Sequence, residues 1–351
     1  MSWPIPKFSK NQVNHAGEIL TSKELDLDKW FSAFEILSNW RACHGYPINT
    51  FQATLRQKLK KIDSDALVAQ RLKRMPSILN KLERFPGMNL SRMQDIGGLR
   101  AVVGSVHQLQ KLHHNYKESR FTHSLISEYD YVCNPKDSGY RSIHLIYKYK
   151  LKDPSPYEGL QLELQLRTKL QHAWATAVET VGTFLEHSLK SSEGPDVWLK
   201  FFSLAGSAFA HLEDSPLVPG YESLGKMETF SATTVESRRL GVRDMLVGYS
   251  SAVKAIPTGT SRGAYYLVEL NLKGEQKSVS IIPFARDQLE KANVEYSKAE
   301  KRAADGEDIQ VVLVSAGSVE SLRRAYPNYF LDTHDFLRQL KRIEKASGVP
   351  S

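Results

Sequence analysis

The chain has little cysteine, no long apolar run and no internal repeat. Only Cys43 and Cys133 occur among its 351 residues. Their spacing is not that of metal ligands, and a reducing cytoplasm is the simplest compartment for so few thiols. No apolar run reaches the length of a membrane span, so no membrane partner is expected. The opening residues, MSWPIPKFSKNQ, lack the apolar stretch of a secretory signal. No repeat period or low-complexity tract is apparent. What is present is ordinary for a globular protein: 41% hydrophobic and 25% charged residues, with length enough for two domains. A net charge of +8 favours anionic partners such as nucleotides or RNA, or marks a merely basic surface.

Residues 24–62 read as helical, with Pro47 breaking the pattern. Pro76 favours a strand at 66–74 followed by a helix to about Arg84, because proline suits a helix's first turn and disfavours a helical residue before it. A buried strand is expected near 98–103, a helix at 106–116, and strands near 122–132, 141–151 and 160–167. A long helix starts near Thr168 and another spans 195–211. Breaker residues at 212–232 suggest a linker. Beyond it come a helix at 234–254, a hairpin turning at Lys273–Gln276, a helix at 285–303, a strand at 309–315 and helices to about 345. The expected class is α/β (α+β): a mixed sheet flanked by helices over 1–211, with a smaller α+β domain at 233–351.

Three constellations carry chemistry. In RLKRMPSILNK, Arg71 and Lys73 share a strand face. Ser77 stands at a helix N-terminus, where free amides favour phosphate, and Lys81 lies one turn on. A solvated basic face gives the same pattern. In DIGGLR, Asp95 precedes Gly97 and Gly98, and Arg100 follows; a structural turn reads alike. In NPKDSGYRSIH, Lys136 is a phosphate ligand candidate, Tyr140 offers a ring for stacking a base, and His144 lies four residues on; a lone tyrosine or histidine is more often a satisfied core or surface group. Glu163, flanked by leucines, shares a strand face with Gln165 and Arg167. An acid in an otherwise apolar strand is costly unless it has a task. Asp95 and Glu163 together could hold one Mg²⁺ with substrate phosphates, or Glu163 and Arg167 could simply face solvent.

The order RLKRMPSILNK, QDIGGLR, NPKDSGYRSIH and LELQLRTKLQHAWA resembles the synthetase domain of the RelA/SpoT family over about residues 40–190. The resemblance implies a nucleotidyltransferase-like fold and transfer of the β,γ-pyrophosphate of ATP to the ribose 3′-hydroxyl of GDP or GTP, giving guanosine tetra- and pentaphosphate. It implies that Arg71 and Arg100 sandwich the adenine and that Lys73, Ser77 and Lys81 hold the donor phosphates. Asp95 and Glu163 match the catalytic Mg²⁺ carboxylates, and Tyr140 matches the residue stacking on the acceptor guanine. Lys136, His144, Gln165 and Arg167 match the acceptor side. Arg74 departs from the small residue that many members carry, and the helix after Thr168 is offset by one residue from the usual spacing. The hydrolase domain and long regulatory tail of larger members have no counterpart, and His334–Asp335 lacks companion ligands.

Two further readings stand beside alarmone synthesis. A toxin-like relative would pyrophosphorylate the tRNA 3′ end, with an antitoxin or regulator acting at the C-terminal domain. A silent nucleotide sensor would need neither carboxylate. The oligomeric state is left open.

Overall fold

A computed structural model describes residues 3–350, apart from 23, 25, 120, 186–188, 190–192, 256–264, 272–276, 286, 316–326 and 331. Three helices precede the first strand: α1 (Lys10–Leu20), α2 (Leu27–Ala42) and α3 (Gly45–Leu59). Helix α1 is absent from the sequence expectations. It buries only Val13, Ala16, Gly17 and Leu20, a stripe too small to show as periodicity. Its signal is the Ser9–Gln12 capping box, in which each residue's side chain accepts the other's backbone N–H. Pro47 falls in the first turn of α3, where a missing N–H costs no helical hydrogen bond.

Then follow β1 (Leu67–Leu72), α4 (Met75–Arg84), β2 (Gly97–Val103), α5 (Val106–Glu118), β3 (Ser124–Asp130), β4 (Ile143–Lys148) and β5 (Gln161–Thr168). All lie where the sequence pattern places them. A capping box between Thr168 and Gln171 turns β5 directly into α6 (Lys169–Phe184), and α7 (Asp196–Leu212) packs nearby. The second half contributes α8 (Lys226–Arg239), α9 (Val242–Ala252), β6 (Val253–Ala255), β7 (Tyr265–Asn271), β8 (Lys277–Phe284), α10 (Leu289–Ala304), β9 (Ile309–Ser315) and α11 (His334–Ala346).

The expected helix at 234–254 is two helices, broken at Gly241, whose φ of 60° is a left-handed stop that glycine accepts. The hairpin of β7 and β8 forms; its expected turn at Lys273–Gln276 lies outside the described residues.

The fold is mixed α/β. One large mixed sheet, ordered β3-β4-β5-β2-β1-β9-β7-β8-β6, is flanked by helices. Residues 233–351, set apart in the sequence reading, extend this sheet. Arg71 of β1 pairs with Val314 of β9, and Ala69 shares an apolar cluster with Tyr266, Val268, Val312 and Val314. On one face of the first half, Leu99, Leu145, Leu162 and Leu164 bury against Phe51 and Leu55 of α3 and Leu109 and Leu112 of α5. Helices α6, α7, α8, α9 and α11 share a second core. Among the described residues no helix is long and apolar enough to cross a membrane.

Candidate active site

Sheet register builds the floor of the site. Directly paired residues on neighbouring strands project to one face. Arg71 pairs with Gly98, and Gly98 with Glu163. Two residues along, Ala69 pairs with Arg100, Arg100 with Gln165, and Gln165 with His144. Residues from four strands thus meet in two rows on the face opposite the leucine core. Above them lies a cleft of ≈ 870 Å³, lined by Arg71, Lys73, Ser77, Lys81, Asp95, Arg100, Lys136, Tyr140, His144, Glu163 and Gln165. Arg167 stands behind the cleft and is 1% exposed.

Asp95, just ahead of β2, sits between two cations. Lys73 Nζ reaches Oδ2 at 2.7 Å and Lys81 Nζ reaches Oδ1 at 2.9 Å. Burial opposes the charge on Asp95, but the two lysines prevail and lower its pKa to about 2. Burial likewise lowers the pKa of Lys73, against the pull of Asp95.

Glu163 belongs to a closed ring of side chains. His144 Nδ1 is 2.7 Å from Oε1, and Gln165 Nε2 donates to Oε2 at 2.8 Å. A carboxylate only accepts, so Nδ1 carries the proton facing Glu163. His144 Nε2 meets the Tyr140 hydroxyl at 2.7 Å. Arg167 Nη2 donates to that hydroxyl at 2.8 Å and to Gln165 Oε1 at 3.2 Å, which closes the ring. Burial raises the Glu163 pKa, but the hydrogen bond and charge of His144 outweigh it and hold the carboxyl below its ordinary range. Burial disfavours the imidazolium, yet Tyr140 and Glu163 together raise the His144 pKa above its usual value. Glu163 and Arg167 therefore do not form a solvent-facing side of the strand.

Tyr140 differs from its expectation as an open stacking platform. It is 4% exposed, its hydroxyl is committed to the ring, and its side chain packs in the helical core near Trp174. The more open ring is Tyr131, with the Lys136 ammonium 4.4 Å over its face and Tyr129 stacked beside it at 6.0 Å. The loop carrying Lys136 and Tyr140 rests on α7. Ser203 Oγ donates to Asp137 O at 2.6 Å, and Gly139, at φ 90°, lies so close to Gly206 that a Cβ on Gly206 would be 2.8 Å from the Gly139 Cα. Arg141 donates to Val132 O and Pro216 O, and burial lowers its pKa to about 10.

The α4 N-terminus is also less open than its sequence suggests. Pro76 has no N–H, Ile78 N donates to Arg74 O, and Met75 N donates to Glu300 Oε1 at 2.9 Å. Of the first amides this leaves Ser77's for an anion. Sequence reasoning missed several cleft residues: Glu179 and Thr183 on α6, Glu193, and Glu307, Asp308 and Gln310 before and within β9. Glu179 and Thr183 lie one helical turn apart in the HAWATAVETVGTF segment, a signal that could have found them. The C-terminal residues carry no local motif.

Residues 70–183 match the family model described as the region found in RelA / SpoT proteins. The chain is 35% identical over 127 residues to GTP pyrophosphokinase YjbM of Bacillus subtilis (strain 168), covering 35% of this chain and 54% of that protein. It is 28% identical over 133 residues to GTP pyrophosphokinase YwaC of the same organism, covering 36% of this chain and 59% of that protein. The chain thus spans little more than half the length of these curated relatives. The crystal structure of the small alarmone synthetase 1 from Bacillus subtilis bound to its product pppGpp aligns with a TM-score of 0.43 at 25% identity, covering 53% of this chain and 94% of that one. The likeness to RelA/SpoT proteins therefore lies in residues 70–183, the part of the chain that carries most of the cleft residues.

Proposed function

We propose that this chain is a pyrophosphokinase that moves the β,γ-pyrophosphate of ATP to the ribose 3′-hydroxyl of GDP or GTP. The observation that carries the reading is a single cleft that holds two ionised carboxylates in different settings. Asp95 sits among lysines, and Glu163 sits in a hydrogen-bonded ring. A triphosphate needs cations where its charge accumulates, and an attacking hydroxyl needs a carboxylate where its proton leaves.

Arg71 and Arg100 stand diagonally on the floor, spaced to grip the flat adenine with their guanidinium planes. Lys73, Lys81 and the Ser77 hydroxyl hold the donor phosphates. Lys136 meets the acceptor phosphates, while Tyr140 and His144 shape the acceptor end. The acceptor 3′-oxygen attacks the β-phosphorus, the bond from that phosphorus to the oxygen of the α-phosphate breaks, and AMP leaves with the bonding pair. Glu163 receives the hydroxyl proton, and His144 and Gln165 fix the orientation of its carboxylate.

Asp95 and Glu163 fit a Mg²⁺ site. Both are oxygen donors, both are held ionised, and each oxygen keeps a second lone pair beyond its one protein partner. Among the described residues no three His, Cys, Asp or Glu side chains converge, and Mg²⁺ needs no such cage when phosphates and water complete its shell. The ion, when bound, supplies charge neutralisation across the donor phosphates.

One observation favours a polynucleotide acceptor as the second reading: the stacked pair Tyr129 and Tyr131 beside Lys136, with Tyr129 42% exposed on a chain of net charge +8. Stacked, exposed rings beside a cation are a surface for single-stranded RNA. Purified protein incubated with γ-labelled ATP, Mg²⁺ and GDP, GTP or deacylated tRNA separates the two. Label on the guanosine nucleotide supports the proposal; label on tRNA alone replaces it with tRNA pyrophosphorylation; label on neither overturns both.

A further inference from the structure

The corner between β1 and α4 carries Arg71, Lys73, Ser77 and Lys81, and the C-terminal half braces it. Arg71 pairs with Val314, Arg74 Nη1 donates to Gln310 Oε1 at 3.4 Å, and Met75 N–H donates to Glu300 Oε1 at 2.9 Å. The last contact replaces a missing part. The N-cap residue of α4, Arg74, makes no side-chain cap hydrogen bond. The carboxylate that caps the helix comes instead from 225 positions along the chain.

Glu300 is 2% exposed. Its second oxygen pairs with Arg41 of α2, whose guanidinium lies 4.6 Å over the ring of Tyr296, one turn before Glu300 on α10. A buried carboxylate destabilises a fold unless its oxygens are matched, and here both are. Neither Glu300 nor Arg41 lines the cleft.

We propose that Glu300 is a positioning residue for the donor site, capping α4 so that Ser77 and Lys81 stand where the ATP phosphates need them. The inference rests on the pyrophosphokinase reading. It makes the C-terminal half part of the donor machinery: α10 fixes the start of a helix whose exposed side meets the nucleotide.

Two double variants isolate the cap. Arg41→Met/Glu300→Gln and Arg41→Met/Glu300→Met both remove the buried ion pair, and only the first keeps an oxygen for Met75 N–H. The first should hold the ATP KM within about twofold of wild type. The second should raise it about tenfold, the scale of one lost buried hydrogen bond, with the acceptor KM unchanged and a melting temperature a few degrees below that of the first, as an unpaired buried N–H requires. Equal ATP KM values in the two variants overturn the inference, as does an acceptor KM that rises in step with that of ATP. Should the second variant fail to fold, Glu300→Asp withdraws the oxygen by one methylene while keeping the charge, and its ATP KM is read against the same thresholds. Wild-type protein that transfers label from ATP to no acceptor overturns the proposed function itself. Active wild type with indifferent variants overturns the cap alone.

Discussion

A methyl group added at Gly98 lands in space the fold does not use. A Cβ there would meet only Arg71 O, at 3.8 Å, an ordinary contact. One residue earlier the opposite holds. A Cβ on Gly97 would lie 2.5 Å from Leu162 Cδ2 and 3.2 Å from both His44 Cβ and Ile48 Cδ1. Neither glycine is among those with positive φ, so backbone strain does not enter. Gly98→Ala should therefore keep stability or raise it by about 0.5–1 kcal/mol, since alanine has less freedom to lose on folding. Gly97→Ala should cost about 1–3 kcal/mol through overpacking. Activity runs the other way. The new methyl at 98 would sit on the cleft floor between Arg71 and Glu163, and a displacement of about 1 Å there is worth roughly 10²-fold in rate. Thermal melts and initial rates of label transfer, taken well below either midpoint, read both quantities. Wild-type transfer by Gly98→Ala would mean that the floor is not substrate space. A Gly98→Ala midpoint below that of Gly97→Ala would refute the packing argument.

Asp95→Asn removes the charge that Lys73 and Lys81 share and should lower label transfer by about 10²-fold or more while the far-ultraviolet circular dichroism stays native; near-full transfer would remove Asp95 from the chemistry. Tyr140→Phe keeps the buried ring but opens the hydrogen-bonded cycle at Arg167 and His144, so stability should fall by about 1–3 kcal/mol and kcat by roughly tenfold, with the acceptor KM little changed; a wild-type kcat would make the cycle dispensable. His44 is buried on α3's approach, bonded through Nδ1 to Trp40 O at 2.9 Å, and burial lowers its pKa to about 4. A lowered histidine pKa means that the unfolded chain binds the proton first, so this stability is whole above about pH 6.5 and is lost as pH falls toward 4. Between pH 8 and pH 5 the loss should be about 2 kcal/mol, and denaturant titrations should show it in wild type and not in His44→Phe; parallel acid limbs in the two proteins would contradict it.

Much of the site was legible because strands write their faces at a spacing of two. Glu163, Gln165 and Arg167 announce one polar face in a run of leucines, and Arg71 with Lys73 announces another. The carboxylates Asp95 and Glu163 could be paired from their chemistry, a pairing the family resemblance also implies, but nothing local says that β2 and β5 lie side by side. The burial of Tyr140 was not readable either, because it depends on α7 and on the contact of Gly139 with Gly206, two residues with no side chains to advertise it. The α4 amides looked free since Pro76 and Ser77 are all the sequence shows there; the carboxylate that takes Met75 N–H is distant. The same distance hid Gln310, Glu307 and Asp308 from the cleft, and it made residues 233–351 look separate when their strands extend the sheet.

The seat of the Lys136–Tyr140 loop on α7 has a mechanical consequence. Where Gly139 meets Gly206, main chain rests on main chain, with no side chain between them to change rotamer and absorb a shift. Along the same stripe α7 packs through Phe202 and Phe209 against Phe336 near the far end of the sequence. A displacement of Lys136 and its neighbours must therefore drag the helix or tear away from it, and the terminal helix feels whichever occurs.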